Sequence, residues 1–454
     1  MSSSGGPRRG PVQALLAPLR SALWPIPCLG VLLAIVLGVV LPALDERLGS
    51  GDHPLTFVFG GGAAAARDVL AAIAGSLISV TGLTFSLTVV ALQLSSSQYS
   101  PRLLQTFVTD RVVQATLAQL VLTFVYALTV LRTVRTASAT EDDSAFVPRL
   151  SITVAYLLTL LSVLALVFFL GHLTRVLRVE TMLRDVHVEG TQTITRELGS
   201  TEDGAGSTAA GSTGRVGPAV PLMARSSGFL VGLDERAAAR AASRAGVVVR
   251  LRIRFGDAIV TGTPLAHAWA GEPGAAVDTT ALEEALERAV RLDFERSAGR
   301  DVAYSLRTIV DILVRALSPG TNDPTTAVHA LSHASALLGE LAERQAADRE
   351  VRDEDGTVRV VLPAWELPDL LQLVVEEPLQ FAEGQPGVLR RLAGVLREFA
   401  WRARGRGVDD LVRGYADRVA DAAVRTTAVT PEEGAAWQLQ VEQALAGEWP
   451  VDGR

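Results

Sequence analysis

Four long apolar segments without charged side chains dominate the first part of the chain, and short polar stretches separate them. A helix rises about 1.5 Å per residue, so about 20 apolar residues cross the roughly 30 Å hydrocarbon core of a bilayer. The pattern therefore predicts four transmembrane helices, over residues 21–44, 69–95, 112–131 and 150–172. They would form a transmembrane domain of residues 21–174, preceded by a cytoplasmic N-terminal tail of residues 1–20.

The second apolar segment is unusual because it is rich in glycine and hydroxyl residues. We expect it to be the helix around which the membrane domain is organised. Its small residues fall on one helical face, at spacings of four, three and four: Gly75, Ser79, Gly82 and Ser86. Small residues let helix backbones approach closely in lipid, and they also suit the lining of a water-filled path. The sequence leaves both interpretations open.

A polar motif ends this second segment: Gln98, Tyr99, Pro101 and Arg102. Proline lacks a backbone N–H and disfavours helical geometry in the residue before it, so the helix should break or kink here. In a symmetric oligomer, Arg102 would form a basic ring at the cytoplasmic mouth of a pore, and such a ring favours anions.

The remainder of the chain is less apolar and predicts an α+β region. Residues 175–198 read as a helical extension of span four, with Leu177, Met182 and Leu183 on its apolar side. Residues 199–217 are a Gly/Ser/Thr/Ala-rich flexible linker. A small β-rich module is expected over 218–270 and a mainly helical domain over 279–454. The predicted fold is thus an α-helical membrane protein with four transmembrane helices, followed by a cytoplasmic α+β region.

Alternation of apolar and basic residues from Val249 to Phe255 predicts a half-buried strand. Arg250, Arg252 and Arg254 would then share one face of that strand. The row could bind an anion or a lipid headgroup, or it could simply be a solvated strand face.

A second polar motif interrupts the helical domain: Ser318, Pro319, Gly320, Asn322, Asp323 and Pro324. Asp323 followed by proline is a good helix start, and its carboxylate and the Asn322 amide also offer oxygen ligands to a cation. His329 and His333 follow at the four-residue spacing of a metal-binding histidine pair. Without a neighbouring glutamate, this spacing fits a chance helical pair better than a metal site.

Composition narrows the functional classes. The formal net charge of −7 argues against a nucleic-acid partner, and the mean hydropathy of +0.29 fits a membrane protein. All 42 basic residues are arginine, which excludes Schiff-base and Walker-A lysines as well as biotinyl and lipoyl attachment. Cys28 is the single cysteine, so no internal disulfide or cysteine metal cluster can form. We find no catalytic motif and expect no enzymatic activity and no cofactor.

Basic residues are concentrated on one side of the predicted spans, which places both termini in the cytoplasm. They precede span one, lie between spans two and three, and follow span four: Arg8, Arg9, Arg20, Arg102, Arg111, Arg175, Arg178 and Arg184.

Several short motifs together resemble those of one family, the predicted bacterial membrane proteins called domain of unknown function 2254. The matching residues are Phe85-Ser86-x-Thr88 with Val90-Ala91, Gln98-Tyr99-x-Pro101-Arg102-Leu103-Leu104, Thr123-Phe124-x-Tyr126 with Leu131-Arg132, and Leu317-Ser318-Pro319-Gly320-x-Asn322-Asp323-Pro324. The chain departs from the family where paired histidines are usual near the end of span four, since Gly171 precedes the single His172. The resemblance covers nearly the whole chain and implies a multi-pass protein of the bacterial inner membrane, without implying an activity.

Two functions fit these observations best. The first is a homo-oligomeric pore or channel lined by the second span and regulated by the cytoplasmic region, with an anion or small ligand as a possible partner. The second is a membrane-anchored scaffold or sensor whose cytoplasmic module binds a protein, lipid or small ligand. An enzyme using Asn322, Asp323 and His329 ranks third.

Overall fold

A computed structural model describes residues 24–48, 59–98, 110–135, 146–176, 178–199, 216–271, 277–344, 347–426 and 429–449. The chain divides into two compact units, Met1–Arg178 and Val179–Arg454. The predicted N-terminal tail and almost all of the predicted linker lie outside the described residues.

The first unit contains four long helices: α1 (Pro25–Leu48), α2 (Ala63–Gln98), α3 (Arg111–Leu131) and α4 (Arg149–Val176). Each is long and apolar enough to cross a membrane, which confirms the prediction of four spans. Large apolar side chains of α1, α2 and α4 face outward, as expected of surfaces in contact with lipid.

The third helix, and not the second as we expected, is the centre of this unit. Half of the apolar stretch of α3 is buried, against 22–28% for the other three helices, and α3 packs against all of them. The reason is close packing at small residues. A Cβ atom on Gly38 of α1 would lie only 2.7 Å from the Thr129 Cβ of α3, and one on Gly30 would lie 3.0 Å from the Ala118 carbonyl oxygen.

Polar contacts join α4 to its neighbours at both of its ends. The Asp45 carboxylate at the end of α1 accepts hydrogen bonds from the Leu150 and Ser151 backbone N–H groups, at 3.1 and 3.0 Å, and so caps α4. Near the other end of α4, His172 Nε2 lies 2.6 Å from Oδ2 of Asp110, which also caps α3. Between these two ends of α4, Ser162 shares a buried hydrogen bond of 2.9 Å with Thr123 of α3.

The second unit begins with a separate helix, α5 (Val179–Leu198), which corrects the prediction that span four continues through residues 175–198. The chain turns after α4, where the Arg178 N–H donates to the Arg175 carbonyl oxygen. Met182 and Leu183 are buried, as predicted for an apolar side, whereas Leu177 lies outside the described residues. No glycine or proline marks the turn, so the local sequence gave no stop signal.

Strands and further helices alternate along the rest of the second unit. In chain order they are β1 (Val216–Met223), β2 (Gly228–Leu233), α6 (Glu235–Arg244), β3 (Val247–Leu251), β4 (Ala258–Ile259), β5 (Pro264–Ala270), α7 (Thr279–Ala289), β6 (Val290–Asp293), α8 (Tyr304–Ala316), α9 (Pro324–Glu343), β7 (Arg349–Arg352), β8 (Val358–Leu362), α10 (Leu367–Phe381), α11 (Pro386–Arg402), α12 (Asp409–Arg425) and α13 (Pro431–Ala446).

Two sheets combine these strands, in the orders β1-β5-β3-β8-β7 and β4-β2-β6. The sheets extend beyond the predicted β-rich module of residues 218–270. β6 and β7 come from the segment expected to be mainly helical, whereas β8 coincides with a strand that the sequence predicts over Thr357–Pro363. β8 pairs in parallel with β3, and both strands are buried over most of their length. Parallel strands cannot be joined by a tight hairpin, and here the partner of β3 comes from more than 100 residues along the chain.

Helices α8 to α13 form the other part of the second unit. α9 packs against α5, α8 and α11, and its buried side chains are almost all alanine and leucine. Gly190 of α5 permits close approach, because a Cβ atom there would lie 2.9 Å from the Ser305 Cβ and 3.0 Å from Leu337.

Candidate functional site: the outward face of the second membrane helix

The small residues of α2 lie on the outer surface of the first unit. Gly75, Ser79, Gly82 and Ser86 are all exposed. The opposite side of α2 packs inward, mainly against α3, through residues that are almost fully buried: Leu70, Leu77, Thr84, Thr88 and Ala91. The face singled out in the sequence is therefore open within the part of the chain that the structure describes, where no helix covers it.

Glycines in this unit fall into two groups with different surroundings. Gly30 and Gly38 of α1 are in close contact with α3, as described above. By contrast, a Cβ atom on Gly75 or Gly82 would meet nothing within 4 Å among the described residues. Packing within one chain thus explains the first pair of glycines but not the second.

Most hydroxyl groups of α2 are satisfied within the helix. Ser79 Oγ donates to the Gly75 carbonyl oxygen at 3.1 Å, and Thr84 and Thr88 donate to carbonyl oxygens one turn earlier, both at 2.8 Å. Such bonds let a hydroxyl lie in an apolar environment. Ser86 differs, since its hydroxyl has no hydrogen-bond partner within the part of the chain that the structure describes.

The polar motif at the end of α2 lies largely outside the described residues. Gln98 is the last residue of the helix, and Tyr99, Pro101 and Arg102 are not described. The predicted break at Pro101 and the basic ring of Arg102 therefore stay predictions.

The motif of residues 318–324 forms the tight turn between α8 and α9. Asp323 caps α9, accepting from the Thr326 N–H at 3.1 Å and from the Thr326 hydroxyl at 2.6 Å. These hydrogen bonds, the hydroxyl bond first, hold the pKa of Asp323 below its ordinary value. Asn322 adopts a positive φ of 45°, and its side-chain oxygen accepts from Gln385 at 2.9 Å. Both the Asn322 side chain and the Asp323 side chain thus have a structural role.

His333 contacts a histidine that the sequence analysis did not single out. His187 of α5 places its ring centroid 5.1 Å from that of His333, at an interplanar angle of 62°. No group of three or more histidine, cysteine or acidic residues in the described ranges is arranged to hold a metal ion. His187 carried no sequence signal, since it stands alone on its helix and meets His333 only through the packing of α5 on α9.

Acidification should destabilise the second unit through protonation of His333. Burial lowers the pKa of His333, and His187 and His329 lower it further. His333 therefore binds a proton more readily in the unfolded chain than in the folded one. The free energy of unfolding should be unaffected by His333 above the ordinary histidine pKa of about 6.5, and it should fall as the pH drops below that value. Denaturant unfolding of the full chain in detergent, repeated from about pH 7.5 to about pH 5, should show this slope.

The His333→Asn variant should show a shallower loss of stability over the same range. Above about pH 7.5, where histidine is neutral in both states, the curves of the two proteins should run parallel. If the free energy of unfolding falls equally steeply at acidic pH in the wild type and in His333→Asn, a role for His333 is contradicted.

The predicted basic row of the third strand is only partly a strand face. β3 ends at Leu251, so Arg252 and Arg254 lie beyond it. Arg250 pairs with Asp348 at 2.7 Å, and Arg254 pairs with Asp369 at 2.5 Å and stacks on the Trp365 ring. Two of the three charges are thus neutralised within the chain, which removes the row as a candidate anion site.

The sequence matches a known family of membrane proteins. The profile of the family described as predicted membrane protein (DUF2254) matches residues 20–398, and the chain belongs to this family. The resemblance drawn from the sequence motifs is thereby confirmed.

Relatives occur in mycobacteria. Uncharacterised proteins from Mycobacterium tuberculosis (strain H37Rv) and Mycobacterium bovis are each 33% identical to this chain over 396 residues. The match covers 86% of this chain and 73% of either relative. No solved structure matches the chain.

Proposed function

We propose that this protein is a homo-oligomeric membrane pore in which the outward face of α2 lines the path between subunits. One observation carries the proposal. Gly75, Ser79, Gly82 and Ser86 form a continuous small and polar face on a membrane helix, yet no part of the described chain covers it.

Contact with lipid alone does not account for this face. Lipid-facing surfaces of α1 and α4 carry large apolar side chains, such as Leu29 and Phe168, and so do the sides of α2 that flank the small face, at Leu83 and Phe85. A face of glycine and serine gives little dispersion contact with acyl chains, whereas it suits the same face of another subunit or a column of water. The Ser86 hydroxyl, which lacks a partner among the described residues, adds a group that water or a second subunit would satisfy.

The proposed membrane is the bacterial inner membrane, with both termini and the second unit in the cytoplasm. The distribution of arginine residues supports this orientation. The second unit begins at α5, which follows α4 closely in the chain.

Flux through proteoliposomes containing the full-length protein tests the proposal. The wild type should pass small ions down a salt gradient, and Ser86→Leu should abolish the flux because a ring of leucines dewets a narrow path. The control is Gly171→Leu, since Gly171 of α4 is also exposed with nothing within 4 Å in the described structure. Assembly is measured in parallel by native mass spectrometry.

Two results would contradict a pore. One is the absence of flux from an intact wild-type oligomer under salt gradients and membrane tension. The other is equal flux from wild type and Ser86→Leu when both assemble normally.

A scaffold or sensor is the second candidate, and the hydrogen bonding of α2 favours it. The Ser79, Thr84 and Thr88 hydroxyls bond to their own helix and need no water. A dry interface between α2 helices of two subunits would use the same small residues. This candidate predicts assembly without flux, and Gly82→Leu would then disrupt the oligomer.

A further inference from the structure

Helix α6 of the second unit carries a row of exposed arginines on one face. Arg236, Arg240 and Arg244 are four residues apart, so they lie within one narrow sector of the helix and span about 12 Å along it. The opposite face is made of alanine, with Ala238, Ala239 and Ala242 buried against the sheet core.

These three arginines have no acidic partner among the residues that the structure describes. That distinguishes them from other arginines of the same unit, such as Arg250 with Asp348 and Arg359 with Asp353. Glu235 is the one acidic residue of α6, and its carboxylate is already engaged by Arg300 at 2.8 Å and by Arg349 at 3.1 Å.

The spacing of these charges works against the stability of the helix itself. Exposed helices usually alternate acidic and basic residues four apart, because like charges at that spacing repel and destabilise the helix. In α6 each of the two such pairs, Arg236 with Arg240 and Arg240 with Arg244, is repulsive. An anionic surface in contact with all three guanidinium groups would offset this repulsion.

We propose that the Arg236–Arg240–Arg244 face of α6 binds the anionic phospholipid headgroups of the bilayer in which the chain is embedded. Charge complementarity and tethering both support this partner. Phosphate groups accept the paired N–H donors of arginine, and the second unit is covalently continuous with the membrane helices. Headgroups form an extended flat surface, which suits a row of side chains along one helix.

A fluorescent label next to the arginine row can report this contact in the full-length protein. Cys28→Ser removes the native thiol, and Ala245→Cys places a single exposed thiol at the end of α6. The labelled protein is placed in nanodiscs of phosphatidylcholine, with or without phosphatidylglycerol, that contain a nitroxide quencher on the headgroup. We expect quenching in the anionic discs that weakens as salt is raised.

Neutralising the row should release the helix. Each arginine near an anionic surface changes binding about fivefold, so Arg236→Gln, Arg240→Gln and Arg244→Gln together should shift the docked-to-free ratio roughly a hundredfold. The matched control replaces the same three residues with lysine, which keeps the charge and should keep most of the quenching.

Two outcomes would overturn the proposal. The first is no quenching in anionic discs at low salt, which would leave an acidic protein as the partner for this face. The second is quenching of equal strength in neutral and anionic discs, or in the glutamine variant and the wild type, because the contact would then not depend on the arginine charges.

Discussion

Replacing Gly256 with alanine should lower the free energy of unfolding of the second unit by about 3 kcal/mol or more. Gly256 has a φ of +91°, a region that costs residues with a side chain about 1–2 kcal/mol. A Cβ atom there would also lie 2.0 Å from the Asp301 Oδ2 atom and 2.8 Å from an Arg296 nitrogen. Neither group can move freely, because Asp301 is buried and accepts from Arg296 Nε at 3.0 Å and from the Ala303 N–H at 3.0 Å.

Gly262→Ala is the matched control for this substitution. Gly262 has a similar φ of +80°, but a Cβ atom there would meet nothing within 4 Å in the described structure. It should therefore cost only the backbone strain, about 1–2 kcal/mol. Denaturant unfolding followed by tryptophan fluorescence measures both, since five of the six tryptophans belong to the second unit. Equal losses for the two variants would show that the contact with Asp301 is unimportant.

The second large effect is expected in the membrane unit, where Gly38→Ala should cost about 2 kcal/mol. The new Cβ would overlap the Thr129 Cβ and Cγ2 atoms, at 2.7 and 2.8 Å, and push α1 away from α3. Thr129 cannot simply rotate aside, because the nearest atom is its Cβ, which is fixed by the backbone. Helix propensity works in the opposite direction and favours alanine by about 0.5–1 kcal/mol.

Gly82→Ala separates these two contributions. It gains the same helix propensity but has no described neighbour within 4 Å, so in a detergent-solubilised monomer it should be neutral or slightly stabilising. Thermal unfolding in detergent compares the stability of the Gly38→Ala and Gly82→Ala variants. If Gly38→Ala is as stable as Gly82→Ala, the proposed close contact between α1 and α3 is wrong.

Local features of the sequence predicted the membrane helices well, because hydropathy over about 20 residues decides whether a segment can cross a bilayer. The same applies to the turn at residues 318–324, where Asp323 and Pro324 mark the start of α9 through local hydrogen bonds and backbone geometry.

Contacts between distant residues were not predictable in this way. Nothing in the pattern of α3 shows that its Ala118 and Thr129 receive the glycines of α1, so the central helix was misidentified. The parallel pairing of β8 with β3 joins segments far apart in the chain, and the pairing of His187 with His333 depends on helix packing. The basic row of α6 was not singled out in the sequence. The structure shows that its charges are unpaired in the described chain while those of Arg250 and Arg254 are not.

The candidate site on α2 was predictable from the sequence only in part. Its periodicity was visible in the sequence, and the structure adds that the face is open where the opposite face of the same helix is buried.

Reactivity of single cysteines on α2 with a charged, membrane-impermeant thiol reagent tests the central claim most directly. In the Cys28→Ser background, Ser79→Cys and Ser86→Cys in proteoliposomes should react, because in the proposed pore both positions meet water between subunits. Leu164→Cys, on the lipid-facing surface of α4, should stay unreactive. If the two α2 variants are as unreactive as Leu164→Cys in the assembled oligomer, the face does not meet water and the pore is contradicted.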